Sequence, residues 1–574
     1  MNSPIIRRRP LLAEPLADLH PVVARVLAAR DVRTPADIDP SLGQLLPPTD
    51  MAGVEAAAER LARAVSSGER ILVVGDFDAD GATSTAFAVR ALRLLGHPSV
   101  DYLVPNRFDY GYGLSPELVE AARARAPSLI LTVDNGISSH HGVAAAREAG
   151  IDVVVTDHHL PPPELPPAAA VVNPNRADCG FASKNLAGVG VIFYVMAVTR
   201  TRLQNDPAWP GELPSLANLL DLVALGTVAD VVPLDRNNRI LVEQGLKRVR
   251  AGQGSPGVEA LLRSGKRDPR QATAQDLAYC AAPRLNAAGR MADMGVGIET
   301  LLADEPASAR RHTAALDDLN RNRRHVEAEM KAQADAEVER LRGELDTAEQ
   351  LPSIVVLHDD RWHQGVSGIL AGRVRQAIHR PVIILADNGD GQVRGSCRSI
   401  PGLHIRDVLA AVDARHPGLM TGFGGHAMAA GLGLPRDAIE PFREAVTAQV
   451  TRALGGLPAT REILTDGPLA PDEMTLETAE ALRSAAPWGA EFPAPTFDGD
   501  FLVREHRVVG EHHVKLQVEP VDAPDWGLEA MAFHADSALH VRAGTHIRMV
   551  YRLEVNEFRG RRGVQLVIEH LEPH

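Results

Sequence analysis

The sequence predicts an α/β protein: a parallel-sheet domain, a long connecting helix, a smaller α/β domain and a C-terminal all-β barrel. Three observations carry this expectation. Short apolar runs alternate with helical segments between residues 71 and 156, the pattern of a parallel sheet with helices on both faces. Leu316, Leu319, Val326, Met330, Ala334, Val338, Leu341 and Leu345 recur at three-, four- or seven-residue spacing on an otherwise charged stretch, and a new strand–helix–strand pattern follows at once. From Thr496 onward, five short alternating segments separated by glycine turns suggest a small barrel.

In chain order, residues 1–50 hold helical pieces at 22–28 and 35–38 among many prolines, an N-terminal extension. Residues 51–304 form the first domain, opening with an alanine-rich amphipathic helix at 51–67. Strands are expected at 71–74, 100–104, 129–133 and 152–156, and helices at 82–95, 116–125 and 139–148. Pro161 to Pro167 is a stiff loop that no helix or strand interior accepts. Two buried helices are expected at 186–198 and 214–225, the connecting helix at 305–349, and the second α/β domain at 350–456. A linker at 457–495, anchored by Trp488 and Phe492, leads to the barrel at 496–574.

At 574 residues, the chain needs roughly three or four cores. Cys179, Cys280 and Cys397 lie far apart with no CxxC pair, which argues against a zinc ribbon or disulfide framework and for a reducing, cytoplasmic setting. Arg7, Arg8 and Arg9 are not followed by a long apolar run, so neither a signal peptide nor a membrane span is expected. The net charge of −14 speaks against non-specific polyanion binding, but a local basic groove is compatible with it.

The chemistry gathers where the strands end. The first strand runs into Gly75-Asp76-Phe77-Asp78-Ala79-Asp80-Gly81. One Asp serves a turn or a helix cap, whereas three at alternate positions repel one another unless a cation sits among them. The third strand ends in Asp134-Asn135-Gly136 and the fourth in Asp157-His158-His159. Ligands bind outside the carboxyl ends of parallel strands, so these groups should converge at one sheet edge. A lone His is more often structural; two adjacent ones behind an Asp, beside other carboxylates, suit a metal, with Asp157 placed to orient a ligating His. Asp230 lies inside the apolar run Gly226-Thr227-Val228-Ala229-Asp230-Val231-Val232, where an unpaired carboxylate is expensive.

Gly-Asp-Phe-Asp-Ala-Asp-Gly, Thr-Val-Asp-Asn-Gly, Thr-Asp-His-His and Gly-Thr-Val-Ala-Asp, in this order, resemble the four motifs of the DHH phosphoesterase superfamily. The resemblance implies that Asp78, Asp80, Asp134, His158 and Asp230 bind two divalent ions, Mn²⁺ or Mg²⁺, with His159 against the substrate phosphate and Asp76 and Asp157 completing the catalytic set. Pyrophosphatases and nano-RNases of the superfamily carry a metal-binding His four residues before the Asp-x-Asp pair. Here that position is Val74, which matches the RecJ branch. The region after the helix, with its Arg394-Gly395-Ser396-Cys397-Arg398 and Gly422-Phe423-Gly424-Gly425-His426 clusters, resembles the DHHA1 domain, and the barrel resembles an OB-fold. Glycines let backbone N–H groups approach a phosphate.

The resemblance further implies substrate contacts from Arg284, Asn286 and Arg290, a short stretch between helices, and from Arg373, Ser396, Arg398, Gly424, Gly425 and His426 across a cleft. It implies a 5′→3′ exonuclease of single-stranded DNA acting in repair and recombination, with a single-strand-binding protein and a RecQ-type helicase as partners. The alternative is a DHH phosphodiesterase acting on short oligoribonucleotides or cyclic dinucleotides. Arg552, Arg559, Arg561 and Arg562 with Phe558 give the barrel a basic, aromatic tip, the kind of face through which OB-folds hold single strands.

Overall fold

Ile71–Val74 is buried at every residue, and the first domain is assembled on it. It pairs in parallel with Val100–Leu103 on one side and Leu129–Val133 on the other; Asp152–Thr156 and Ala170–Val172 follow outward. Side chains alternate between two cores, as a period of two dictates. Ile71 and Val73 pack with the helices Val54–Ser67, Ala79–Leu94 and Gly188–Gln204. Leu72 and Val74 pack with Pro116–Arg123 and His140–Glu148 on the other face. The chain leaves the first strand to one side and returns on the other. The carboxyl ends of Ile71–Val74 and Leu129–Val133 therefore flank a topological switch point, where α/β sheets open a crevice.

The computed structural model describes residues 4–105, 113–209, 211–345, 352–360, 362, 364–389, 391–425, 427–455, 462–510, 513–533, 541–558 and 560–574. His426, Arg559 and residues 346–349 of the connecting segment lie outside these. The chain divides into two units: Arg8–Arg321 with Thr465–His574, and Asn322–Leu464 with the first residues up to Arg7. The helix Pro306–Leu345 carries the chain from the first unit into the second.

Two local readings are corrected. The helix after the first strand starts at Ala79 rather than residue 82, because Asp78 caps it by accepting the Gly81 N–H at 2.9 Å. The stretch around Arg284 is itself a helix, Ala282–Met291, entered through a π-turn at Leu277–Ala281. Pro283 falls in its first turn, where the missing N–H is no loss.

In the second unit a five-stranded sheet has the order Gly422–Gly425, Ala429–Pro435, Gln392–Arg398, Val382–Gly389, Val355–His358, antiparallel except for its last pair. Its core is its own, with Phe442, Val446 and Val450 of the helix Ile439–Ala453 against Ile383, Leu385 and Leu432. The barrel closes in the order Phe497–Val509, His513–Pro520, Leu528–Ala532, Arg561–Pro573, His546–Phe558. Among the described residues no helix is long and apolar enough to cross a membrane.

The barrel is tied to the first domain by a buried ion pair. Arg30 meets Asp466 through two nitrogens, at 2.7 and 3.0 Å, and Asp466 also accepts the Thr496 N–H at 3.0 Å. Removing one member of such a pair leaves a buried charge uncompensated, which costs about 3–5 kcal/mol. Asp466→Ala should therefore lower the urea midpoint of the unit that contains it, and an unchanged unfolding curve would show that the pair does not hold the barrel in place.

Candidate metal centre

The strand ends bring the expected side chains together. His158 Nε2 lies 3.1 Å from Asp134 Oδ1, 3.5 Å from Asp230 Oδ2 and 4.0 Å from Asp80 Oδ2. Three overlapping sets have ligand atoms all within 4.8 Å of one another: Asp134 with His158 and His159, Asp80 with His158 and Asp230, and Asp76 with Asp78 and Asp134. The geometry thus gathers Asp78, Asp80, Asp134, His158 and Asp230 and adds Asp76 and His159 to the possible ligands. Carboxylate oxygens with an imidazole are the donor set of a Mn²⁺ or Mg²⁺ site.

How each group is held follows from its element. Asp80 sits in the first turn of Ala79–Leu94 and points at the start of another helix, Gly188–Gln204. Gly188 N–H donates to its Oδ2 at 2.6 Å and Val189 N–H to its Oδ1 at 3.1 Å. A helix N-terminus is a ready anion holder. Asp134 itself adopts a left-handed conformation, φ 61°, at the end of its strand. Asp157 accepts the N–H groups of His158, His159 and Ile137, and takes His159 Nδ1 at 2.8 Å. The backbone of the two histidines is pinned from behind, since Asn175 Nδ2 donates to the His158 carbonyl and Asn173 Nδ2 to that of His159.

Electrostatics divide the acids. Burial pushes Asp80 up to about 7, helped by the charge of Asp78 and opposed by the Gly188 and Val189 N–H groups. Burial, then the charges of neighbouring aspartates, pushes Asp134 and Asp230 well above the ordinary carboxylate range. Burial also works against Asp157, but its bond to His159 and the charges of both histidines hold it below its usual value. For His159, burial is outweighed by the bond and charge of Asp157, so the ring stays cationic up to about 9.

The remaining expected residues divide differently. Arg284 is buried. It donates to Asp317 at 2.9 Å, to the Cys280 carbonyl at 2.7 Å and to the Ser264 carbonyl at 3.2 Å, so its guanidinium braces helices instead of facing a crevice. Asn286 Oδ1 accepts the Ala79 N–H at 2.9 Å and so steadies the acidic turn. Gly289 of the same helix packs on that turn: a Cβ there would lie 1.7 Å from the Phe77 carbonyl. Arg290 is exposed. In the second unit, Ser396 shares a 2.7 Å hydroxyl contact with Ser367, and Arg398 lies on the same strand, Gln392–Arg398. Gly424 and Gly425 are on the edge strand, Gly425 at φ 136°, and Arg373 is half-buried on the helix Gln364–Ile378. At the barrel tip, Arg562 pairs with Glu480 and Glu557, and Arg552 with Glu554 and Glu569. The tip is therefore a mixed-charge surface, not a purely basic one.

The sequence pattern does not reveal the supports. A Cβ on Gly188 would lie 2.6 Å from Asp134 Cβ and 2.7 Å from its Oδ1; one on Gly226 would lie 2.8 Å from Asp80 Oδ1. Only the glycine-rich spacing of Gly188 and Gly190 hints at this. Gly188→Ala should therefore displace Asp134 and weaken Mn²⁺ binding by about 10–100-fold, the usual penalty for disturbing what orients a ligand; undiminished affinity in calorimetry would refute the close approach. Carboxylates raised by burial and mutual repulsion carry protons near neutrality, and a cation must displace them. Mn²⁺ binding should accordingly release protons at pH 7, and its affinity should rise between pH 6 and 8. Calorimetry in buffers of different ionisation enthalpy measures the release; none at pH 7 would mean the acids are already ionised without a metal.

The comparisons with known proteins match the three domains in order. The N-terminal domain of the DHH family matches residues 70–227, the DHHA1 domain residues 351–452 and the RecJ OB domain residues 465–570. The single-stranded-DNA-specific exonuclease RecJ of Escherichia coli (strain K12) is 50% identical over 575 residues, covering 99% of each chain. The protein of the same name from Haemophilus influenzae is 45% identical over 573 residues, again covering 99% of each. The crystal structure of RecJ in complex with Mn²⁺ from Thermus thermophilus superposes with a TM-score of 0.77 at 30% identity, covering 99% of this chain and 79% of that one. With all three domains matched in order and near-complete coverage at such identities, the chain belongs to the RecJ family.

Proposed function

We propose that the chain is a metal-dependent exonuclease that degrades single-stranded DNA from its 5′ end to 5′-mononucleotides, a cytoplasmic enzyme of DNA repair and recombination. The observation that carries this reading is the set of three overlapping ligand clusters at the switch point of the sheet. Likeness to relatives named as single-stranded-DNA-specific exonucleases supplies the substrate.

Asp76, Asp78, Asp80, Asp134, His158 and Asp230 would hold two ions, Mn²⁺ or Mg²⁺. Bound there, the metal supplies an ionised water and neutralises charge on the scissile phosphate. The chain's own groups do the rest. His159, cationic at neutral pH and oriented by Asp157, donates from its Nε2 to a phosphate oxygen as charge builds there. Asp80, clamped by Gly188 and Val189, keeps its position through the reaction. Arg290 is the arginine of its helix that remains open to substrate, while Asn286 holds the acidic turn. Arg373, Ser396, Arg398 and the glycines 424 and 425 offer further donors to a phosphate.

Beyond the site, a groove of about 860 Å³ runs between the barrel and the helices around Tyr279, lined also by Phe533, Arg250, Lys266 and Arg483. Tyr279 and Phe533 are 74% and 52% exposed. Exposed aromatics beside cations suit unstacked bases, so the path of the strand follows this groove more than the paired arginines of the tip. A helicase and a single-strand-binding protein that supply single strands fit this role; family resemblance alone supports them.

The alternative, a phosphodiesterase for short oligoribonucleotides or cyclic dinucleotides, gives the barrel and groove no task. A single strand labelled at either end, digested with Mn²⁺, tests the proposal: the 5′ label should appear first as mononucleotide. Asp134→Ala should lose a factor on the order of 10²–10³ or more. Preferred cleavage of a dinucleotide over the long strand, or release from the 3′ end, would overturn it.

A further inference from the structure

Asp230 differs from the other acids of the centre in what carries it. It lies on the turn between the helices Leu220–Ala229 and Arg236–Arg250, outside the sheet. The next residue, Val231, is β-branched, exposed and in the left-handed region at φ 60°. Such a conformation persists only where the surroundings over-determine it.

Those surroundings include Asn238, whose Nδ2 donates to the Pro233 carbonyl at 2.9 Å, and the segment just before the barrel. Leu234 N–H donates to the Ala490 carbonyl at 2.8 Å, and a Cβ on the adjacent Gly489 would lie 2.6 Å from Leu234 Cδ1. Arg239, on the following helix, reaches back so that Nη1 donates to the Leu234 carbonyl at 3.0 Å and Nη2 to the Asp37 carbonyl at 3.1 Å. Its guanidinium carbon lies 4.2 Å from the centre of the Phe492 ring. Phe492 is stacked on Trp488 at 5.3 Å, and Trp488 Nε1 donates to the Leu482 carbonyl. Both backbone groups of Leu234 are thus gripped, one by the linker and one by an arginine seated on the linker's aromatic pair.

We propose that Arg239 is a positioning residue: with Phe492 and Ala490 it locks the turn 231–234 and thereby sets where Asp230 meets the metal. This rests on Asp230 being a metal ligand, the reading given above. The linker then has a task beyond joining domains, because it holds one wall of the centre. Arg239 bonds to the Leu234 and Asp37 carbonyls and to none of the proposed ligands, so it acts on the metal through the turn.

The test uses the full chain and Mn²⁺ alone as the probe. Arg239→Met keeps the stem and removes the fork. Calorimetry should show Mn²⁺ affinity reduced by about 10–100-fold, the range for groups that orient a ligand. Hydrogen exchange at residues 229–236 should accelerate in the metal-free protein. Arg248→Met is the control. It lies on the same helix and loses a bond to the Gln253 carbonyl without touching the turn, so it should leave Mn²⁺ affinity unchanged. Phe492→Leu, which keeps the arginine's hydrogen bonds but removes its platform, should shift affinity the same way by less, and decides the matter if Arg239→Met does not fold. Equal Mn²⁺ affinity in wild type and in whichever of these two turn variants folds, or an equal loss in Arg248→Met, would overturn the proposal. Failure of the wild type to bind Mn²⁺ would instead overturn the metal reading beneath it.

Discussion

Several carboxylates buried side by side repel one another, and the first domain is arranged around containing that repulsion. Asp76, Asp80, Asp134 and Asp157 are each at most 5% exposed. Coulomb repulsion at such spacings, away from bulk water, is far larger than any surface ion pair returns. The fold answers each acid separately. Asp157 receives three backbone N–H groups and a cationic ring. Asp80 receives the first N–H groups of a helix. Asp134 and Asp230 lie against His158 and are left raised, the condition a divalent cation relieves. A parallel sheet is needed because only parallel strands present all their carboxyl ends on one edge. Glycine is needed at 188 and 226 because helices must close on the acids to within contact distance.

What can be read from the sequence is what local pattern encodes. Ile71–Val74 and Asp152–Thr156 are apolar runs of strand length, and the acids and histidines follow them directly. The helix start at Ala79 escapes the pattern because Asp78, a ligand candidate, also serves as a cap. The helix Ala282–Met291 is hidden by Pro283 and Gly289, residues that usually mark a break. Here one sits in a first turn and the other makes room for Phe77. Arg284 misleads for another reason: an arginine fork suits phosphate and a buried aspartate equally. Its partner Asp317 lies on a different helix, which no spacing rule reveals.

The same limit explains the barrel. Read singly, Arg552 and Arg562 are cations near an aromatic residue. Read in register, Arg562 faces Glu557 directly across the hairpin, and Arg552 reaches Glu569 diagonally. Cross-strand neighbours of opposite sign are the ordinary way a sheet surface neutralises itself. A positive count along a strand becomes a basic surface only after its partners are subtracted, and pairing register is a property of two strands together.

The centre therefore depends on two kinds of support. Asp76, Asp78, Asp134, Asp157 and the histidines hang from the ends of strands whose ladders and two cores fix them from both faces. Asp230 hangs from an inter-helix turn gripped by residues near 490, far along the chain. The strand ends are held by the sheet, whereas the turn that carries Asp230 is also held by the linker, on which Trp488 and Phe492 are stacked. On the proposed assignment of Asp230 as a ligand, the ligand set is thereby coupled to packing of the barrel end of the chain. That coupling is a physical reason for the linker's aromatic pair to be packed against the first domain, where a flexible tether would have sufficed merely to join two domains.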